Sequence, residues 1–81
     1  MLELAAGKNL LARADRRVTA AEARLASQVL HVEQLQAVGD DARRSEATLR
    51  EMAQSLEVLR EVRAEIQRSV EQLEVAASPC R

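Results

Sequence analysis

Val38-Gly39-Asp40-Asp41 is the one stretch in the middle of this chain where helix formation is plainly interrupted. Gly39 can take the left-handed backbone conformation that closes a helix, and an aspartate after it suits the positive end of the next helix. Segments with helical apolar spacing lie on both sides of this stretch. It therefore predicts a turn at residues 38–41 between two long helices, with Asp40 or Asp41 capping the second helix.

The composition agrees with an all-α fold. Of the 81 residues, 47% are hydrophobic and 31% are charged, aromatic residues are absent, and there are only two glycines and one proline. Such a mixture is typical of coiled coils and long helices. A chain this short buries little core, and the lone Cys80 allows no intrachain disulfide, so self-association is the expected remedy. The role of Cys80 itself is left open.

The first arm has a heptad pattern. Its seam positions, at alternating steps of three and four, are Leu11, Ala14, Val18, Ala21, Leu25, Gln28, Val32 and Leu35. The pattern predicts helix 1 over about residues 10–37. Whether residues 1–9 join this helix is left open, because Gly7 costs about 1 kcal/mol inside a helix and Asn9 offers an alternative cap. Gln28 is a polar seam residue of the kind that sets register.

The second arm continues the same spacing after the turn. Its positions are Ala42, Ser45, Leu49, Met52, Leu56, Leu59, Val62 or Arg63, Ile66, Val70, Leu73 and Ala77. This predicts helix 2 over about residues 42–77 and a short tail over 78–81, because the residue before Pro79 disfavours helical torsions. We expect one domain over residues 1–81, an antiparallel two-helix hairpin with coiled-coil packing.

Folding the arms about the turn predicts which residues face each other. The expected layers pair Leu25 with Leu56, Ala21 with Leu59, Ala14 with Ile66 and Leu11 with Val70. Gln28 is expected to bond to Ser55. On the flanks, the expected neighbours are Arg17 with Glu65, Arg24 with Glu57 and His31 with Glu51. Arg63 falls at a seam position, and we expect it to reach Asp15 while Val62 rotates inward.

The hairpin has more apolar residues than one seam can use. Leu10, Val29, Leu30, Val58 and Val62 are left over, and a strip of exposed aliphatic residues usually marks a partner surface. We expect two hairpins to pack as a four-helix bundle with twofold symmetry, a homodimer being the favoured assembly. Hairpins with their turns at the same end and at opposite ends both satisfy the pattern.

Some polar residues stand at fixed distances from the turn, among them Asp15, Gln28 and Ser55. They accompany the runs Ala14-Asp15-Arg16-Arg17-Val18, Arg24-Leu25-Ala26 and Gly39-Asp40-Asp41. In these features the chain resembles a group of short, functionally uncharacterised helical-hairpin proteins common in alphaproteobacterial genomes, over roughly residues 14–68. The resemblance implies the hairpin and transfers no functional residue. The chain departs from the group in having Asp40 where histidine is usual.

The sequence offers no catalytic set. One histidine, one cysteine and no glycine-rich phosphate loop do not make an active site or a metal site, so we expect no enzyme activity, metal or cofactor. The pairs Arg16-Arg17 and Arg43-Arg44 leave a small nucleic-acid-associated regulatory protein as the alternative. A net charge of −1 and the absence of aromatic residues make that hypothesis the weaker one.

The N-terminal region contains no apolar run that suits a signal peptide, and no run is long enough for a membrane span. We therefore expect a cytoplasmic protein without a membrane partner. The favoured function is a structural, oligomerisation or adaptor module that acts through helix packing, with a further protein partner left open.

Overall fold

The computed structural model describes residues 3–78, which form two α-helices. α1 spans Leu4–Ala37 and α2 spans Arg43–Ala77, and the two pack on each other along their length as an antiparallel hairpin. This confirms the predicted all-α fold. Cys80 and most of the predicted tail lie outside the described residues.

The turn between the helices is a Schellman motif. Gly39 has a φ of +77°, its N–H donates to the Gln36 carbonyl at 3.2 Å, and the Asp40 N–H donates to the Leu35 carbonyl at 2.9 Å. These two bonds satisfy carbonyl groups that the end of α1 would otherwise leave without partners. The predicted left-handed glycine at position 39 is thereby confirmed.

The N-cap of α2 is Ala42, so neither Asp40 nor Asp41 stands at the predicted capping position. Asp41, one residue earlier, nevertheless binds the first turn of the helix. Its Oδ1 accepts the backbone N–H of Arg43 at 3.0 Å, and Oδ2 accepts the guanidinium Nη2 of the same arginine at 2.9 Å. The side-chain bond to Arg43, followed by the backbone bond, lowers the pKa of Asp41. Of the two predicted capping residues, it is therefore Asp41 whose carboxylate supports the second helix, while Asp40 contributes its backbone N–H to the end of α1.

α1 begins earlier than the predicted residue 10. Its first residue is Leu4, and Gly7 is buried inside the helix, where its N–H donates to the Glu3 carbonyl at 2.7 Å. Leu4 and Gly7 extend the seam of Leu11 by further steps of three and four. Packing of this extra segment against α2 outweighs the propensity cost of Gly7, which is about 1 kcal/mol.

The heptad seam runs through both helices without a break. Residues on it are buried or half-buried. In α1 they are Leu4, Gly7, Leu11, Ala14, Val18, Ala21, Leu25, Gln28, Val32 and Leu35; in α2 they are Ala42, Ser45, Leu49, Met52, Leu56, Leu59, Arg63, Ile66, Val70 and Leu73. The predicted periodicity is confirmed in both helices as far as Leu73, whereas Ala77, predicted to lie on the stripe, is exposed.

The alignment of α2 along α1 differs from the predicted one by about one helical turn. On one flank of the seam, Glu22 contacts Arg60, Lys8 contacts Glu74 and Gln36 contacts Glu46. On the other flank, Leu10 and Val62 line one surface depression, and Arg24 and Thr48 line a second one. The seam runs midway between the two flanks, so its pairing is the average of the pairings seen on each side. This average places Gly7 opposite Val70 and Ala21 opposite Leu56, and all four residues are buried.

Some predicted layer partners are diagonal neighbours in this alignment. Ala21 and Leu59 line a common groove, and so do Ala14 and Ile66. The expected flank contacts of Arg24 with Glu57 and of Arg17 with Glu65 are absent from the ion pairs among residues 3–78. Glu57 instead accepts from Arg60, one turn along the same helix. Small residues of α1 still face larger residues of α2, as predicted, but with different partners.

Two polar predictions about the seam have different outcomes. Gln28 does not bond to Ser55, which is exposed; its Nε2 donates to the backbone carbonyl of Ser45 at 2.9 Å. Arg63 does reach Asp15, as predicted, and its Nε donates to a carboxylate oxygen. The inward rotation of Val62 was wrong, because Val62 is 45% exposed and the Arg63 stem occupies the seam position.

Candidate interaction surface

The seam divides the surface of the hairpin into two faces. Successive residues of an α-helix turn by about 100°, so Glu22 and Arg24 lie on opposite sides of the seam in α1. Arg60 and Val62 are separated in the same way in α2. Glu22 bonds to Arg60, which places these two on one side. We call that side the ion-pair face and the side with Arg24 and Val62 the groove face.

The ion-pair face contains charged side chains that pair with each other within the hairpin. Arg60 Nη2 donates to Glu22 Oε2 at 3.0 Å and Nη1 donates to Glu57 Oε1 at 3.1 Å. These bonds raise the pKa of Arg60, the bond to Glu22 having the larger effect. Further along the face, Gln36 lies 3.2 Å from Glu46 and Lys8 lies 3.9 Å from Glu74. Exposed pairs of this kind stabilise the fold only slightly, but burying them in an interface would require their desolvation.

The groove face contains two adjoining depressions with apolar floors. The first has a volume of about 270 Å³ and is lined by Leu10, Arg13, Ala14, Arg17, Leu59, Val62 and Ile66. The second has a volume of about 290 Å³ and is lined by Ala21, Arg24, Thr48, Glu51, Met52, Ser55 and Leu59. Leu59 belongs to both linings, so the depressions form one continuous groove along the seam.

The two edges of this groove have opposite charge. Arg13, Arg17 and Arg24 follow the α1 edge at steps of four and seven, and none of them forms an ion pair with another residue in the range 3–78. Glu51 lines the groove from α2, and Glu65 lies on the same side of α2 because it is two heptads further along. Three basic side chains of α1 thus lie across an apolar floor from two acidic side chains of α2, which are separated by Val58.

The five predicted surface aliphatics are all exposed, but they do not form one strip. Leu10 and Val62 line the groove, and Val58 lies on the same face because it is one turn before Val62. Val29 is one heptad after Glu22 and therefore lies on the ion-pair face. Leu30, which is 59% exposed, points away from the seam on the outer side of α1.

The predicted register residues are distributed between core and groove. Leu56 is buried at 3% exposure, while Leu25, Leu59, Ile66 and Gln28 are half-buried. Ser55 is exposed and lines the groove. Sequence reasoning missed the row Arg13, Arg17 and Arg24. The spacing of these arginines by four and seven residues places them on one side of α1. That side can be identified as a groove edge only when the position of the seam is known.

Metal binding, nucleic-acid binding and membrane spanning can each be compared with the described residues. Among residues 3–78, no three His, Cys, Asp or Glu side chains lie close enough together to hold a metal ion. Of the two arginine pairs considered for nucleic acid, one member, Arg43, already binds the Asp41 carboxylate. Neither of the described helices has a stretch long and apolar enough to cross a lipid bilayer.

No family model, curated protein or solved structure matches this chain. The resemblance to short alphaproteobacterial hairpin proteins therefore stays a prediction. Function has to be argued from the two faces of the hairpin and from the burial of its seam.

Proposed function

We propose that the chain is a cytoplasmic, non-enzymatic structural or adaptor module that acts through helix packing and assembles as a homodimer of hairpins in a four-helix bundle. The observation that supports this most strongly is a thin core beside an open apolar groove. The cytoplasmic assignment rests on the single cysteine among 81 residues, since small secreted domains are usually rich in disulfides.

The core of one hairpin is thin. Its buried hydrophobic residues are Ala14, Ala21, Val32, Ala42, Leu56 and Val70, three of them alanines, and no described side chain is fully buried. Alanine contributes little apolar area, and the stabilisation from burial scales with that area at about 25 cal/mol per Å². Half-buried seam residues such as Leu59 and Ile66 gain further stabilisation only if a second layer covers them.

A second hairpin supplies such a layer. Two hairpins packed face to face enclose both grooves in one bundle interior, which is the usual way for long amphipathic helices to complete a core. Exposed Leu10, Val58 and Val62 would then lie inside or at the margin of the interface. An adaptor role follows from the same property, because such a bundle joins the segments attached to its helices at defined positions.

Mass in solution tests the proposal. We expect light scattering with refractive-index detection to give twice the chain mass of 9.0 kDa at micromolar concentration. Refractive index is needed because the chain has no Trp or Tyr. A well-folded helical protein that stays at the mass of one chain would contradict the proposal. Retention on duplex DNA that falls steeply with salt would favour the nucleic-acid alternative instead.

A further inference from the structure

We infer that two hairpins meet through their groove faces about a twofold axis parallel to the helices, so that both turns lie at the same end. In this arrangement α1 of each copy packs on α2 of the other. The inference rests on the proposed homodimer and deepens it, because it specifies the surface and the relative orientation.

The charges on the two edges of the groove decide between the available orientations. A twofold axis parallel to the helices brings the α1 edge of one copy over the α2 edge of the other. Two of the three arginines, Arg13 and Arg24, then meet glutamates, which is the complementary arrangement. Arg17 comes level with Leu59 and Val62 of the other copy, on which its apolar stem can pack. A twofold axis across the helices would put α1 on α1, so that arginine rows face each other and glutamate rows do the same. Such like-charge contacts suppress association.

The heights of the charged residues along the hairpin match in this orientation. An axis parallel to the helices does not move a residue along the helix direction. Arg24 and Glu51 line the same groove within one hairpin, so Glu51 of the second copy comes level with Arg24. Arg13 and Ile66 line the same depression, so they lie at the same height along the hairpin. Glu65 directly precedes Ile66, so Glu65 of the second copy comes level with Arg13.

These two contacts occur twice by symmetry. The match is confined to the part of the face away from the turn, because nearer to the turn Arg44 interrupts the acidic edge of α2. Four ion pairs at the rim of an apolar interface set its orientation and register, while the apolar groove residues supply most of the stabilisation.

The groove face is large enough for a stable interface, and the opposite face is less suited to one. α1 is about 51 Å long at 1.5 Å per residue, which with the 19 Å width of the hairpin gives a projected face of roughly 970 Å², enough to contain the ~800 Å² per partner of a stable interface. The ion-pair face is less suited, because burying it would desolvate Arg60 and its two glutamates.

Charge reversal at the groove tests the inference. The first variant combines Arg13→Glu with Arg24→Glu. Sedimentation equilibrium with interference optics should show its homodimer dissociation constant raised about 10- to 100-fold, because four attractive contacts become repulsive. The matched control combines Arg16→Glu with Arg68→Glu, which changes the net charge equally at exposed positions off the groove. We expect the control to keep the wild-type dissociation constant within about threefold.

A compensating variant keeps the test valid if the first variant folds poorly. Adding Glu51→Arg and Glu65→Arg to the first variant exchanges the two edges, so its homodimer should return to within about threefold of the wild-type dissociation constant. If the wild-type protein is a dimer and the first variant dimerises as tightly as the control, the inference is overturned and the proposed homodimer stands. A compensating variant that folds but stays dissociated would have the same consequence. A monomeric wild-type protein would overturn both.

Discussion

Replacing Leu56 by alanine is expected to lower the free energy of unfolding by about 2–5 kcal/mol. Leu56 is only 3% exposed, and its neighbour across the seam is Ala21. Because Ala21 is too small to fill the space that the leucine leaves, the substitution creates a cavity in addition to the loss of apolar burial. Chemical denaturation at one fixed protein concentration, followed by far-ultraviolet circular dichroism, measures the difference.

The control for Leu56→Ala is Val75→Ala in the same helix. Val75 is 75% exposed, so its truncation should change the free energy of unfolding by less than about 0.5 kcal/mol. If Leu56→Ala also costs less than about 0.5 kcal/mol, then Leu56 is not buried in the seam and the described packing of the two helices is wrong.

Replacing Gly39 by alanine is expected to cost about 1–2 kcal/mol of stability. Gly39 has a φ of +77°, a conformation in which a Cβ meets the following carbonyl oxygen. A Cβ built at Gly39 finds no other atom within 4 Å, so the cost comes from the backbone and not from crowding by neighbours. The same denaturation measurement applies, because the variant retains every side chain of the seam.

Gly39→Asn separates backbone conformation from any other effect of a side chain at this position. Asparagine tolerates the left-handed conformation better than alanine, so it should cost less than alanine although it is larger. If asparagine destabilises the hairpin more than alanine does, the cost is steric and the Schellman turn is not the reason for glycine at this position.

The helices and the turn could be predicted from the sequence because each has a local cause. Alternating steps of three and four continue for the length of both arms, and Gly39 is the only central residue that suits a helix end. The start of α1 could not be predicted in the same way. Local propensity argues against Gly7 in a helix, and only its burial against α2 explains why the helix continues to Leu4.

The alignment of the two helices was harder to predict than their existence. A heptad seam of Leu, Val and Ala looks similar after a shift of one turn, so layer sizes alone do not select the register. Contacts on both flanks taken together select it, Glu22 with Arg60 on one side and Arg24 beside Thr48 on the other. Within the seam, the bond from Gln28 to the Ser45 carbonyl agrees with the same register. The expected bond from Gln28 to Ser55 was wrong for this reason.

The candidate surface could be predicted in part. Exposure of Leu10 and Val58 followed from counting apolar residues outside the seam, whereas Val62 had also been expected to rotate inward. That Val29 and Leu30 lie on other sides of the hairpin could not be predicted in this way, because a count of apolar residues does not show which flank of the seam each one occupies. The arginine row became informative only after the ion pairs between the helices, Lys8 with Glu74 and Arg60 with Glu22, were found on the other flank.

The distance between the two turns of a dimer tests the orientation most directly. A spin label at Val38→Cys, in a Cys80→Ser background, places one label beside each turn at a residue that is 72% exposed. Helices in a bundle lie about 10 Å apart, so we expect pulsed dipolar spectroscopy to give a distance below about 30 Å. A distance near the helix length of about 50 Å, or no dipolar coupling at all, would contradict a dimer with both turns at one end.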